Sequence, residues 1–315
     1  MNTLKKITIV LLASITLQAY AGEMVDKSMS AKGVNNVSIE NLRGDVTIIG
    51  WDKKEVSVKG ELDDKAERFV FEKQGSTIKI KVEMPHNNNH GWHRGGSTLT
   101  VKIPKDSRMN FSGVSTDVIL SNLTSSSEVH TVSGDIKATD LKKHVELSTV
   151  SGSVNSQNLS GKIRLSSVSG DIKDNNSQGR LILKVVSGDI ESKSQASEVF
   201  VNNVSGGIEL ELDKVDEFEV STVSGDVNSK LTLNDSGVAK LSSISGDIDI
   251  RFQSKVQANF RLNASAGGDL ENELTNDKAK SAKYGPSSKL YFQTGDGSAS
   301  FKANTVSGTI KLSSK

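Results

Sequence analysis

Between residues 132 and 246 the chain returns seven times to one short phrase, Val-Ser-Gly or Ile-Ser-Gly, with its glycine at Gly134, Gly152, Gly170, Gly188, Gly206, Gly225 and Gly246. Four of the six steps are eighteen residues; the last two are nineteen and twenty-one. Such a near-constant period leaves few possible folds. A unit this small cannot bury its own apolar side chains and must stack on its neighbours.

Within a unit the apolar positions are Val145, Leu147, Val150 and Val154, then Ile163, Leu165, Val168 and Ile172. Two-residue steps in Val, Ile and Leu predict strands. Between the strands sits "SGD" or "SGS", where Gly supplies unusual backbone angles and Ser or Asp bonds nearby backbone, so the chain turns a corner. A strand, a corner, a short second strand and a return within eighteen residues predict an all-β, single-chain parallel β-solenoid, or β-helix, in which the rest of each coil is the crossover. The left-handed hexapeptide alternative fails. Six-residue steps from Val132 reach Ala138, His144, Val150, Ser156 and Lys162, of which only every third is strongly apolar.

The same offsets recur in Val37, Ile39, Leu42 and Val46, in Met109, Phe111, Val114 and Val118, and in Phe301, Ala303, Val306 and Ile310. The expected organisation is divergent coils over 22–112, regular repeats over 113–250 and degenerate coils over 251–315, with "AGGDL" and "TGDGS" marking two longer coils. About twelve coils at strand spacing would give a rod of roughly 60 Å. Two polar interruptions, 85–97 ("PHNNNHGWHRGGS" at its heart) and 271–288, read as protruding loops. Residues 1–21 read as a cleaved export signal: Lys5 and Lys6, an apolar run, then Ala19 and Ala21. No later segment approaches the ~18 apolar residues of a spanning helix. The chain has no cysteine, so it is held by packing and carries no lipid-bearing cysteine.

"NLRGDVTIIGWDKKEVSVKGEL", "STLTVKIPKDSRMNFSGVSTDV" and the train of "VSGDI" units resemble the bacterial putative-adhesin family with β-strand repeats, exported proteins of a domain of unknown function. The resemblance spans nearly the whole chain after the leader. It implies an architecture and brings no catalytic residues; the His-rich loop is outside its pattern.

The candidate chemistry is sparse. Asp135, Asp171, Asp189, Asp226 and Asp247 should form a corner column, interrupted by Ser153 and Gly207. Stacked carboxylates could hold a divalent cation, but the glycine-rich calcium-binding nonapeptide is absent, and backbone bonding is the preferred role. Ser133, Ser151, Ser169, Ser187, Ser205, Ser224 and Ser245 form a second column, read as a hydroxyl ladder. "RGD" at Arg43 to Asp45 falls in register with "SGD", which leaves only Arg43 as a receptor signal. His86, His90 and His93 on one loop are the sharpest metal candidates, without a carboxylate or thiol beside them. No cofactor is expected.

Lys and Arg number 39 against 38 Asp and Glu, so no basic excess points to nucleic acid. Aromatics are 4% of residues, too few across the whole chain for an extended sugar-binding cleft, and no nucleophile, base and acid share an offset. The sequence therefore predicts a non-catalytic exported protein, periplasmic by preference, with the cell surface or medium as alternatives. Its partner would be an envelope or extracellular protein or a glycan surface, met by a flat polar face. The alternative is a periplasmic ligand- or metal-sensing protein using the loop at 85–97.

Overall fold

In Lys142–Thr149 the side chains of Val145, Leu147 and Thr149 point inward, and after the corner Val154 and Ser156 do so again. The next level repeats this with Ile163, Leu165, Ser167, Ile172 and Asp174, paired in parallel and in register with the first. The computed structural model describes residues 22–85 and 95–315; every regular element is a strand, and 25 strands join one mixed sheet. The proposed leader, residues 1–21, lies outside the described residues.

Successive levels put like residues on like. One inward column runs Ile80, Ile39, Phe111, Val129, Leu147, Leu165, Leu183, Val201, Val220, Leu241, Ala303, Leu262 and Leu290. Each is buried, and the columns merge in one apolar core. Full burial of a Val, Leu or Ile contributes about 1.5–3 kcal/mol. Without a disulfide, repetition of this term opposes the chain entropy.

Three expectations need correction. Val150, Val168 and their counterparts are not core residues: they are 40–52% exposed, because Leu147 to Val150 is three steps and a two-residue alternation turns the third outward. The inward corner position belongs to Thr149 or Ser167.

The pairing is also not purely parallel. Arg68–Gln74 folds back antiparallel on Thr77–Glu83 through Gly75 and Ser76, and Glu55–Glu61 lies antiparallel between Met24–Ser30 and Ser97–Pro104. At the other end Ser288–Gln293 runs antiparallel to Ala258–Ala264, with Lys280–Ser281 beyond it. A stack of parallel levels ends in unpaired backbone, and a strand returning through a short turn can only pair antiparallel, so folded-back strands cover both ends.

The third concerns the last coil. Ala299–Ser307 and Ile310–Ser314 do not stack beyond two longer coils at "AGGDL" and "TGDGS"; they pair with Val227–Ser245 and Ile248–Phe252 on one side and with Ala258–Ala264 and Leu270–Asn272 on the other. The level 258–272 is thereby displaced outward by one place, and Lys280–Ser281 with Ser288–Gln293 forms the terminal hairpin beyond it. The segment 271–288 is correspondingly anchored: Leu274 and Ala279 pack against the core.

The corner glycines set the stacking distance. A Cβ on Gly170 would lie 2.1 Å from the carbonyl oxygen of Gly152, and one on Gly152 2.2 Å from that of Gly134. Gly207, one position later in its corner, has nothing nearer than 3.6 Å. Gly170→Ala should therefore destabilise by about 1–3 kcal/mol through overpacking, whereas Gly207→Ala should stay within about 0.5 kcal/mol. Urea unfolding of both variants checks the contrast.

Candidate functional site

The corner "TVSGD" divides its labour by direction. In some corners the buried hydroxyl at its first position reaches back to the level before, Thr149 Oγ1 donating to the Gly134 carbonyl at 3.0 Å and Ser167 Oγ to that of Gly152 at 2.9 Å, whereas the equivalent hydroxyls of Thr222, Ser243 and Thr305 make no such bond. The Asp reaches forward. Asp135 Oδ1 accepts the Ser153 amide at 2.8 Å, Asp171 Oδ1 that of Asp189 at 2.9 Å, Asp189 Oδ1 that of Gly207 at 2.7 Å, and Asp226 Oδ1 that of Asp247 at 3.0 Å. Asp247 continues the pattern to Thr309 across the inserted last segment.

These carboxylates thus tie one level to the backbone of the next. Among the described residues no group of three His, Cys, Asp or Glu is placed to hold a metal ion. His86, His90 and His93 lie outside the described residues. In the serine column Ser224 Oγ donates to the Val204 carbonyl at 3.3 Å, and Ser151 and Ser169 are held by their amides, which donate to the carbonyls of Val132 and Val150 at 2.7 and 2.8 Å. In those two corners the buried Thr149 or Ser167, two positions earlier, makes the hydroxyl bond.

With hydroxyl, amide and carboxylate engaged, the corner shows solvent its remaining side chain. Leu42, Val114, Val132, Val150, Val168, Val186, Val204, Val223, Ile244 and Val306 are 40–52% exposed at equivalent positions of ten levels. Each from Val114 onward is followed by an exposed or half-exposed Ser. The result is a narrow apolar edge, bordered by hydroxyls and flanked by polar and charged groups such as His130, Lys184 and the exposed corner aspartates, running along most of the molecule. Single exposed apolar residues are ordinary, but a contiguous line of them marks an interaction surface. The residues were legible; their orientation was not, because an apolar residue in a repeat is taken for core until the alternation is counted.

Arg43 of "RGD" is not displayed for a receptor. Its guanidinium grips the buried Asp63 carboxylate through Nε and through Nη2 at 2.8 Å. Burial pushes the Asp63 carboxyl up, but the bonds from Arg43 and the Lys65 amide outweigh it and hold the group below the usual range. Gly44, at φ 106°, has the Ser97 carbonyl 2.2 Å from where a Cβ would sit. All three letters of that motif are thus explained by the fold or the repeat.

Asp174 went unremarked in the sequence. It occupies a core column between Ser156 and Ser192 and accepts from Ser156 Oγ at 2.6 Å, Ser177 Oγ at 2.5 Å and Ser192 Oγ at 3.1 Å. Burial raises its pKa, and the three hydroxyls only partly offset that. The available signal was its place two residues after Ile172, where sister repeats carry Ala138, Ser156 or Leu210.

The family model described as Toastrack DUF4097 matches residues 34–240, well over half of the chain. No curated protein matches it. Three solved structures are similar at low identity. They are a putative cell adhesion protein from Clostridium sporogenes (12% identity, 93% of this chain and 100% of that one, TM-score 0.27), a putative lipid binding protein from Parabacteroides distasonis (14%, 93% and 97%, 0.45) and a putative adhesin from Bacteroides fragilis (13%, 92% and 97%, 0.42). At these scores they say nothing of what this chain binds.

Two outcomes follow from the buried carboxylates. Arg43→Ala strands Asp63 and should cost about 3–5 kcal/mol at neutral pH. Because the folded pKa of Asp63 is depressed, the native pair stabilises above the ordinary carboxylate value of about 4 and loses that contribution as pH falls through the lower folded value; the variant should lack this acid-range slope. Asp174 has the opposite sign: its contribution is full below about 4 and is lost as pH rises through its raised folded value. Asp174→Asn should therefore raise the Tm at pH 7, with the gain shrinking towards pH 4, as thermal unfolding at the two pH values would show.

Proposed function

The chain belongs to the Toastrack DUF4097 family, and on that premise we propose that it is an exported, non-catalytic β-solenoid, an adhesin or envelope interaction protein that docks a partner along its apolar corner edge. The observation that carries this reading is the column of exposed Val, Leu and Ile at ten successive levels. Exposure of so many apolar groups at one repeated position is costly for a protein that stays free in solution, and a partner lying along the edge would remove that cost. The edge has a recess at Leu42 and Val114, beside Lys81 and Glu83, but its repeated line of side chains suits a long partner better than a small ligand.

The corner aspartates beside the edge bond the amides of the next level, and among the described edge residues no nucleophile stands with a base beside it, which is why we read the protein as a binder and not as an enzyme. The core beneath supports the same reading: inward ladders fix the spacing of the exposed side chains, so the surface is preorganised and little entropy is lost on contact. The reading places the protein, after removal of residues 1–21, in the periplasm or on the cell surface. Among the described residues no helix is long and apolar enough to cross a membrane.

The test is a double substitution on the edge. Val150→Lys with Val186→Lys should leave stability within about 1 kcal/mol, since both side chains already meet solvent, yet abolish retention of envelope partners on the immobilised protein and reduce adhesion of cells carrying the variant. Retention and adhesion equal to those of the unaltered protein would overturn the reading.

A further inference from the structure

At the C-terminal end the outer face changes character. Lys240, Lys302, Arg261 and Tyr291 occupy directly paired positions on four neighbouring strands. Their chain neighbours Ala239, Leu241, Phe301, Ala303, Phe260 and Leu262 are buried, so all four side chains point outward. Lys289 and Lys280 pair with each other on the adjoining hairpin. Elsewhere several outer cations meet a carboxylate, Arg180 with Glu198 at 2.6 Å, Lys173 with Glu191 at 3.5 Å and Lys193 with Glu211 at 3.8 Å, and like-charged neighbours such as Lys162 and Arg180 or Glu128 and Glu146 come as isolated pairs beside such partners.

None of the five C-terminal cations enters an ion pair among the described residues; Glu219, paired opposite Lys240, bounds the column on its inner side. Like charges directly opposed across strands destabilise a sheet. The fold gains nothing from this ladder, and an anion laid across it would remove the repulsion.

The remaining groups on this face narrow the choice of anion. Tyr291 is 61% exposed in the middle of it. Asn259 and Gln293 flank one side, held by bonds to the carbonyls of Gly297 and Gly295 that leave their amide oxygens as acceptors; Asn263 and Asn304 flank the other. Beneath lies a phenylalanine cluster, with Phe260 stacked on Phe292 at 4.4 Å and meeting Phe301 at 5.3 Å, which keeps the platform rigid. An aromatic face takes the apolar side of a sugar ring, amides take its hydroxyls, and Lys and Arg take its carboxylates.

We propose that this face binds an acidic polysaccharide. The proposal deepens the envelope reading above and rests on it. It also qualifies the expectation drawn from composition: aromatics are scarce in the chain, but both described tyrosines, Tyr291 and the 85% exposed Tyr284 of the adjoining hairpin turn, lie at this end.

The experiment is titration calorimetry of the purified protein with polygalacturonate as the acidic probe, neutral dextran as control, and phosphatidylglycerol vesicles as the competing anionic surface. The expected result is binding to polygalacturonate that weakens as salt rises, with no binding to dextran. Lys240→Gln, Arg261→Gln and Lys302→Gln together should weaken it by about tenfold or more, and Tyr291→Ala should weaken it without changing the salt dependence. Binding only to the vesicles, or polygalacturonate binding unchanged in the triple variant, would overturn the proposal. Val150→Lys with Val186→Lys should leave polygalacturonate binding intact, so the edge and this face fail or survive separately.

Discussion

The structure depends on one close approach, repeated at each corner. The carbonyl oxygen of one corner glycine occupies the space in which the Cβ of the next would stand, 2.1–2.5 Å away along the run from Gly152 to Gly246. No other residue permits that distance, and without it the backbone could not turn while still pairing with the level below. The other corner residues follow from it. At Thr149 and Ser167 a buried hydroxyl satisfies the glycine carbonyl behind, the corner carboxylates satisfy the amide ahead, and the residue between them is left to face water. The apolar edge is thus both a product of the packing and the surface most available for function.

The ends of the array answer a different constraint. Stacked parallel levels finish in open backbone, which invites association with other chains. Here Met24–Ser30 with Glu55–Glu61, and Arg68–Gln74, cover one end, and the hairpin of Lys280–Ser281 and Ser288–Gln293 covers the other. The last segment, 299–314, is threaded between two earlier levels, so the terminal residues are bound on both sides. The cationic face sits on this rearranged end, where the phenylalanine cluster stiffens a sheet whose regular repeat has lapsed.

What could be read in advance was what repetition shows. The period and the inward columns such as Leu147 on Leu165 follow from spacing and residue type. Three kinds of information did not. Orientation at the corner was misread because Val150 is apolar, although Thr149 takes the inward place. Stacking order was hidden because Phe301 to Ile310 repeats the frame wherever it is inserted. The return of 68–83 on itself was signalled only by the Gly75-Ser76 dipeptide. Charge ladders such as Lys240, Lys302 and Arg261 become visible only once the pairing of distant strands is known, and Asp174 could be recognised as buried only after its column was aligned.

The central claim is that the corner edge is the surface at which a partner docks. Site-specific photocrosslinking in living cells tests it most directly, with the photoreactive residue placed at Val168 on the edge and, as the comparison, at Asn155 on the outer face of the second strand. The account predicts a discrete crosslinked partner from Val168 and none from Asn155. Crosslinking that is absent from Val168, or equally strong from both positions, would contradict it.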